Sequence, residues 1–251
     1  MKKLLEVCVD SLASARAAIA GGADRLELCS ALCIGGLTPY AGLLHQIRAE
    51  SDIEIRCMIR PRPGDFHYSA DELALMLWQI RQLQPLGANG FVFGCLTVEG
   101  DLDLAAMEQL LQAAGDSRVT LHRAIDVSRD PELTYGQAAG LGIDTVLTSG
   151  GARSCREGRE TIERLLDLQA AANGPQVLIG AGVHPGTITE FRSRMEGAVQ
   201  FHLSGKRMVE SAMIFRRADV PMGLPGLDEW HIQQTDLETI RTARRALDRE
   251  K

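Results

Sequence analysis

Short apolar runs alternate along the chain with longer amphipathic ones. The short runs are Leu4–Val9, Arg25–Cys29, Glu54–Arg60, Gly90–Leu96, Val119–Ile125, Thr145–Ser149, Gln176–Gly180 and Ala198–Leu203, all of strand length. Helix-like runs follow them, for example Ser69–Gln84 and Leu102–Ala114. Several carry start signals: Thr38-Pro39 sets a capping hydroxyl before Pro, and Ser69 with Glu72 forms a capping box. Asp130-Pro131 and His184-Pro185 make similar starts, and Thr235 with Glu238 opens the last helix. Eight strand–helix units in 251 residues predict a single TIM-type (β/α)8 barrel domain over residues 1–251, rather than an open doubly wound sheet. After the eighth strand the pattern weakens. A helix-like Met208–Arg216 leads into an irregular stretch at about 216–234, where Met222, Leu224, Leu227 and Trp230 need cover.

Composition narrows the function. A net charge of −6 argues against a nucleic-acid or anionic-membrane surface. No apolar run approaches the roughly 20 residues of a spanning helix. The basic start MKKLLEVCVD is broken by Glu6 and Asp10 and does not read as a signal peptide. The six cysteines (8, 29, 33, 57, 95 and 155) form no CxxC, so reduced thiols and a cytoplasmic location are expected.

The chemistry begins with a pattern that occurs twice, Glu6-Val7-Cys8 and Glu27-Leu28-Cys29. Strand side chains alternate, so each Glu shares a face with its Cys, and the intervening helix makes the two strands parallel neighbours. A strand Cys alone is most simply a small core hydrophobe, whereas a Glu is rarely buried unpaired. On the same polar parity lie Arg56, Met58 and Arg60, then His122 and Asp126, Thr148, and Gln200, His202 and Ser204. A structural barrel interior would be Val, Ile and Leu, so this pattern predicts a concave site at the carboxyl ends of the strands. Glu6, Glu27 and His122 are its candidate acid–base groups.

Late loops are glycine-rich: Thr148-Ser149-Gly150-Gly151, Gly180-Ala181-Gly182 and Ser204-Gly205-Lys206. With Arg60 and Arg62 they predict an anion cradle, against the plainer reading that Gly only permits tight turns.

The runs Glu6-Val-Cys8, Arg25-Leu-Glu-Leu-Cys-Ser30, Gly35-Gly-Leu-Thr-Pro39, Met58-Ile-Arg-Pro-Arg62, His122-Arg-Ala-Ile-Asp126 and Leu147-Thr-Ser-Gly-Gly151 resemble the signature runs of the CutC family. The resemblance spans nearly the whole chain in the right order. It implies a cytoplasmic TIM barrel, a homo-oligomer with a dimer favoured, named for copper homeostasis. In family members discussed as copper binders, the implied Cu(I) ligands match Cys8 and Cys29. One departure is Gly180-Ala-Gly-Val183, where relatives are richer in glycine. Two readings stand: a Cu(I)-binding protein, and a barrel enzyme or binding protein for a small phosphorylated or carboxylated metabolite.

Overall fold

The computed structural model describes residues 3–172, 174–217, 220, 223, 226 and 228–249. Eight parallel strands close into a barrel in chain order: β1 Leu4–Val9, β2 Arg25–Leu28, β3 Glu54–Met58, β4 Gly90–Phe93, β5 Arg118–Leu121, β6 Thr145–Thr148, β7 Gln176–Ile179 and β8 Gln200–Leu203. The helices are α1 Leu12–Gly21, α2 Ala41–Glu50, α3 Ala70–Leu83, α4 Leu104–Ala114, α5 Pro131–Gly140, α6 Arg159–Ala172, α7 Pro185–Arg194 and α8 Leu237–Asp248. This is the TIM-type barrel that the alternation predicts. Among the described residues, no helix is long and apolar enough to cross a membrane.

Strand alternation divides the side chains between two environments. Leu5, Val7, Val9, Leu26, Leu28, Ile55, Phe91, Phe93, Val146 and Phe201 join the helix faces in one continuous apolar core. Each such side chain contributes on the order of 1.5–3 kcal/mol by burial. The barrel interior is different. Its apolar content reduces to two small clusters, Leu4 with Leu147 and Leu178, and Cys29 with Met58 and Val92. The rest is polar, and its floor is an ion-pair plug. Arg56 donates to Thr120 Oγ1 (2.7 Å), Thr145 Oγ1 (3.1 Å) and Asp144 Oδ1 (2.8 Å), and pairs with Glu54 (3.1 Å).

Local expectations meet mixed outcomes. Ser69 and Glu72 form the reciprocal capping box, while Asp130 and His184 cap α5 and α7. The Thr38 hydroxyl caps nothing. It donates toward Gln79 Oε1 and accepts from the Arg60 N–H, tying the β2 and β3 loops together. Asp236, rather than Thr235, caps α8 by accepting from Thr239 N.

The helix-like run at 208–216 is corrected: Met208–Glu210 lie in a strand, and 211–216 are an irregular connection. Lys206–Glu210 (β9) pairs antiparallel with His231–Thr235 (β10) as a hairpin beyond β8. Its alternating side chains satisfy a strand as well as a helix, and the partner lies more than twenty residues away. Of the expected apolar cover, Met222, Leu224 and Leu227 lie outside the described residues, and Trp230 is half-buried beneath Arg216.

Candidate functional site at the mouth of the barrel

A cavity of about 430 Å3 opens at the carboxyl ends of the strands. Strand ends contribute Cys8, Glu27, Met58, Arg60, His122, Leu147 and His202. The β7 loop contributes Ala181, Gly182 and Val183, and the hairpin contributes Lys206, Gln233 and Gln234. The register explains the crowding. Cys8 pairs with Glu27 across β1–β2, and Glu6 pairs with His202 across β1–β8 and with Arg25 across β1–β2.

Glu6 is fully buried and held from both sides. The Arg25 Nε–H donates to Oε2 at 2.5 Å, and Oε1 meets His202 Nδ1 at 2.7 Å. Burial alone would push this carboxyl up, but Arg25, His202 and Arg56 bring it down to about 2. The same arrangement acts on His202 in reverse. Burial pulls the ring down, yet Cys8, Glu27 and Glu6 hold it well above the usual imidazole range. These surroundings favour the protonated ring, with a buried carboxylate at its Nδ1. Burial raises Glu27, with His202 opposing and Glu6 reinforcing the shift.

One thiol faces this assembly. Ligand atoms of Cys8, Glu27 and His202 lie within 4.8 Å of one another. Cys29 stands apart: it is fully buried against Met58 and Val92 and directs its thiol toward Glu27 Oε2 at 3.5 Å. Burial and the neighbouring Glu27 push the Cys29 thiol well above its ordinary value. Copper, implied by the family resemblance, thus meets a poor fit. A two-thiolate Cu(I) site requires both sulfurs deprotonated. Here one is a buried thiol that donates to Glu27, and the surroundings of His202 favour its protonated form, which offers no lone pair.

The candidate anion residues divide. Arg60, Gly182 and Ser204 line the cavity. Arg62 does not: it pairs with Glu72 (2.5 Å) and Asp65 (3.0 Å) outside the cavity. Thr148, expected inside, points outward because Leu147 takes the interior position on β6. The loop at 148–151 holds an anion of its own, the Asp126 carboxylate. Asp126 accepts from Thr148 Oγ1 (2.6 Å), Ser149 N (3.0 Å) and Gly151 N (3.1 Å), while Gly150 N donates to Thr148 Oγ1 (2.8 Å). Gly180 and Gly205 serve packing. A Cβ at Gly180 would meet Leu147 at 2.6 Å, and one at Gly205 would meet Ile240 at 2.5 Å. The β7 loop carries strain at the rim, since Ala181 has φ 68° beside Gly182 at φ 74°.

Arg56 lies on the floor, away from the mouth. His122 ends β5 rather than lying within it, and caps the turn Arg123–Val127. Sequence reasoning placed His202 on the inner face without giving it a role. It omitted Arg25, whose parity with Glu27 was the available signal. Lys206 belongs to the Ser204-Gly205-Lys206 loop, whereas Gln233 and Gln234 depend on the hairpin and had no local signal.

Comparison with known proteins gives a consistent answer. A family protein CutC of Chromobacterium violaceum is 42% identical over 249 residues, covering 99% of this chain and all of that one. Its counterpart in Vibrio vulnificus strain CMCP6 is 39% identical, with 98% of each chain covered. The crystal structure of CutC from Streptococcus agalactiae, provisionally assigned to copper homeostasis, superposes with a TM-score of 0.75 at 29% identity. That match covers 81% of this chain and 99% of that one. Phosphoribosyl anthranilate isomerase from Thermococcus kodakaraensis, at 16% identity and a TM-score of 0.57 over 99% of this chain and all of that one, shares the fold alone. The CutC family profile matches residues 3–207, and the chain belongs to the CutC family.

Proposed function

We propose that this chain binds a small anionic metabolite in the barrel mouth and performs acid–base chemistry on it. The observation that carries the reading is the Glu6–His202 pair set against Glu27 and Cys8 at the wall of a 430 Å3 cavity. Titratable groups whose surroundings drive them apart are the mark of such sites. Gly182, Ser204 and Lys206 around the rim supply donors for the ligand's anionic end. Thermal denaturation with added inorganic phosphate or 2-phosphoglycolate tests it. A bound ligand at a hundredfold excess over its Kd adds about 2.7 kcal/mol of stability, and Lys206→Ala reduces that gain. No stabilisation at high concentrations of either anion counts decisively against the reading.

The second reading is a role in copper homeostasis, supported by the family's name and by Cys8 as a soft donor at the cavity wall. A cytoplasmic location accords with either reading, given six free cysteines.

Self-association as a homodimer is part of the proposal. Ile214 is 98% and Phe215 70% exposed in the connection after β9, an apolar pair left in water. A second copy of the same hairpin offers matching apolar cover. Sedimentation is expected to give a dimer that Ile214→Asp with Phe215→Asp dissociates. A monomer mass that is independent of concentration in the unmodified protein refutes it.

A further inference from the structure

Three buried polar atoms without a hydrogen-bond partner belong to residues that line the cavity: His122 Nε2, Arg60 Nε and Glu27 Oε1. His122 and Arg60 pack against the same ring. Phe66 links them, with its ring 4.6 Å from that of His122 and 5.2 Å from Arg60 Cζ. The backbone fixes the tautomer of His122. Ala124 N–H donates to Nδ1 at 3.2 Å, so Nδ1 is an acceptor and the proton sits on Nε2. Burial and then the Arg60 charge keep this ring neutral, pushed down to about 3. Arg60 gives its terminal nitrogens to the carbonyls of Ile34, Gly36 and Gly64, leaving Nε–H as its spare donor. Glu27 mirrors this among acceptors: Oε2 receives the Cys29 thiol and Oε1 receives nothing.

Buried unpaired donors and acceptors are costly, and they persist where a ligand completes them. We infer that they form a proton-transfer site for a carbonyl compound with an acidic C–H beside the carbonyl. His122 and Arg60 donate to the carbonyl oxygen, and Glu27 faces the adjacent carbon. This inference rests on the small-anion reading above and names its reaction class. Glu27 removes the proton from carbon. The C–H electron pair becomes the C=C bond of an enolate, and the carbonyl π pair moves to oxygen, where the two N–H groups hold it. The substrate carries a hydroxyl on that adjacent carbon: Glu27 returns the proton to the former carbonyl carbon, the hydroxyl proton passes to the former carbonyl oxygen, and the hydroxyl oxygen becomes the new carbonyl. The product is an isomer, so the step needs no oxidant, reductant or second substrate. A neutral imidazole suits the role because it donates a hydrogen bond without surrendering its proton.

The test compares two probes on the full-length protein by calorimetry. 2-Phosphoglycolate carries a carboxylate that copies the enolate charge, and 2-hydroxyethyl phosphate lacks it. Phosphoglycolate is expected to bind about tenfold or more tightly, and His122→Ala to abolish that preference with hydroxyethyl phosphate affinity kept within about twofold. His122→Gln retains a donor near the Nε2 position and keeps part of the preference, which covers a failure of His122→Ala to fold. In nitrogen-15 spectra the His122 Nε2–H signal should move with phosphoglycolate and not with the other probe. Equal affinity of the unmodified protein for both probes, or a preference unchanged in both variants, overturns the inference while leaving the anion site standing. Binding of neither probe overturns both.

Discussion

Replacing Arg25 by Met is expected to destabilise the fold by about 3–5 kcal/mol at neutral pH, although no ligand contact is lost. Arg25 sits at the base of a buried charge chain, with its Nε on Glu6 and Glu6 in turn on His202. Removing the guanidinium leaves a fully buried carboxylate with one partner that is itself buried, and burial then dominates. The pH dependence gives the mechanism its signature. In the intact protein Glu6 titrates at about 2, below its ordinary 4.5. Its contribution is therefore fully present above about pH 4.5 and is lost as pH falls through 2. In the variant, folding must carry a carboxyl whose ionisation is penalised, so protonation relieves the strain. The stability gap between the two proteins should narrow as pH drops below 4.5. His202 acts in the opposite window: its raised value stabilises the fold below about pH 6.5, and that contribution fades as pH rises through its folded value. Urea unfolding at pH 7 and pH 3 makes the comparison. Arg16, in an exposed pair with Glu50, is the control and should matter little. An Arg25→Met penalty that is the same at both pH values would rule out the charge-chain account.

Much of this arrangement was legible in the chain, for a physical reason. An apolar residue on the outer face of a barrel strand needs a polar or small residue on the inner face only when the inside is a site. The parity of Glu6, Cys8, Glu27, Arg56 and His202 therefore carried real information. Strand β6 shows where parity fails: Thr145-Val-Leu-Thr148 has one hydroxyl and one aliphatic residue on each phase, so the sequence does not choose between them. The packing of Leu147 with Leu4 and Leu178 makes the choice, and no local pattern contains it. The glycine-rich loop at 148–151 misled for a related reason. Its amides do bind an anion, but that anion is Asp126, delivered from the preceding β5 loop. Arg62 was drawn as a ligand contact because sequence cannot show that Glu72, at the start of α3, reaches it first. The hairpin was hidden by distance, since β9 alone is too short to distinguish strand from helix.

Cysteine substitutions separate the two functional readings by orders of magnitude. A two-thiolate Cu(I) centre loses affinity by about a hundredfold or more when either sulfur becomes a hydroxyl, because a soft ligand is replaced by a hard one. Cys8 and Cys29 are not equivalent here. Cys8 is at the cavity wall beside Glu27 and His202, while Cys29 is sealed beneath Gly36, where an added Cβ would come 3.1 Å from its sulfur. Ligation by Cys29 would require deprotonating a thiol that burial and Glu27 hold far above neutrality. Titration against a competing Cu(I) chelator under reducing conditions is therefore expected to show Cys29→Ser unchanged within about threefold. Cys33, Cys57, Cys95 and Cys155 should be equally silent. If Cys8→Ser with Cys29→Ser also matches the unmodified protein, any copper bound is adventitious and the cavity belongs to a metabolite. A hundredfold loss on changing Cys29 alone would mean that copper binding reorganises the Glu27 wall. That outcome would put the copper reading ahead of the acid–base one.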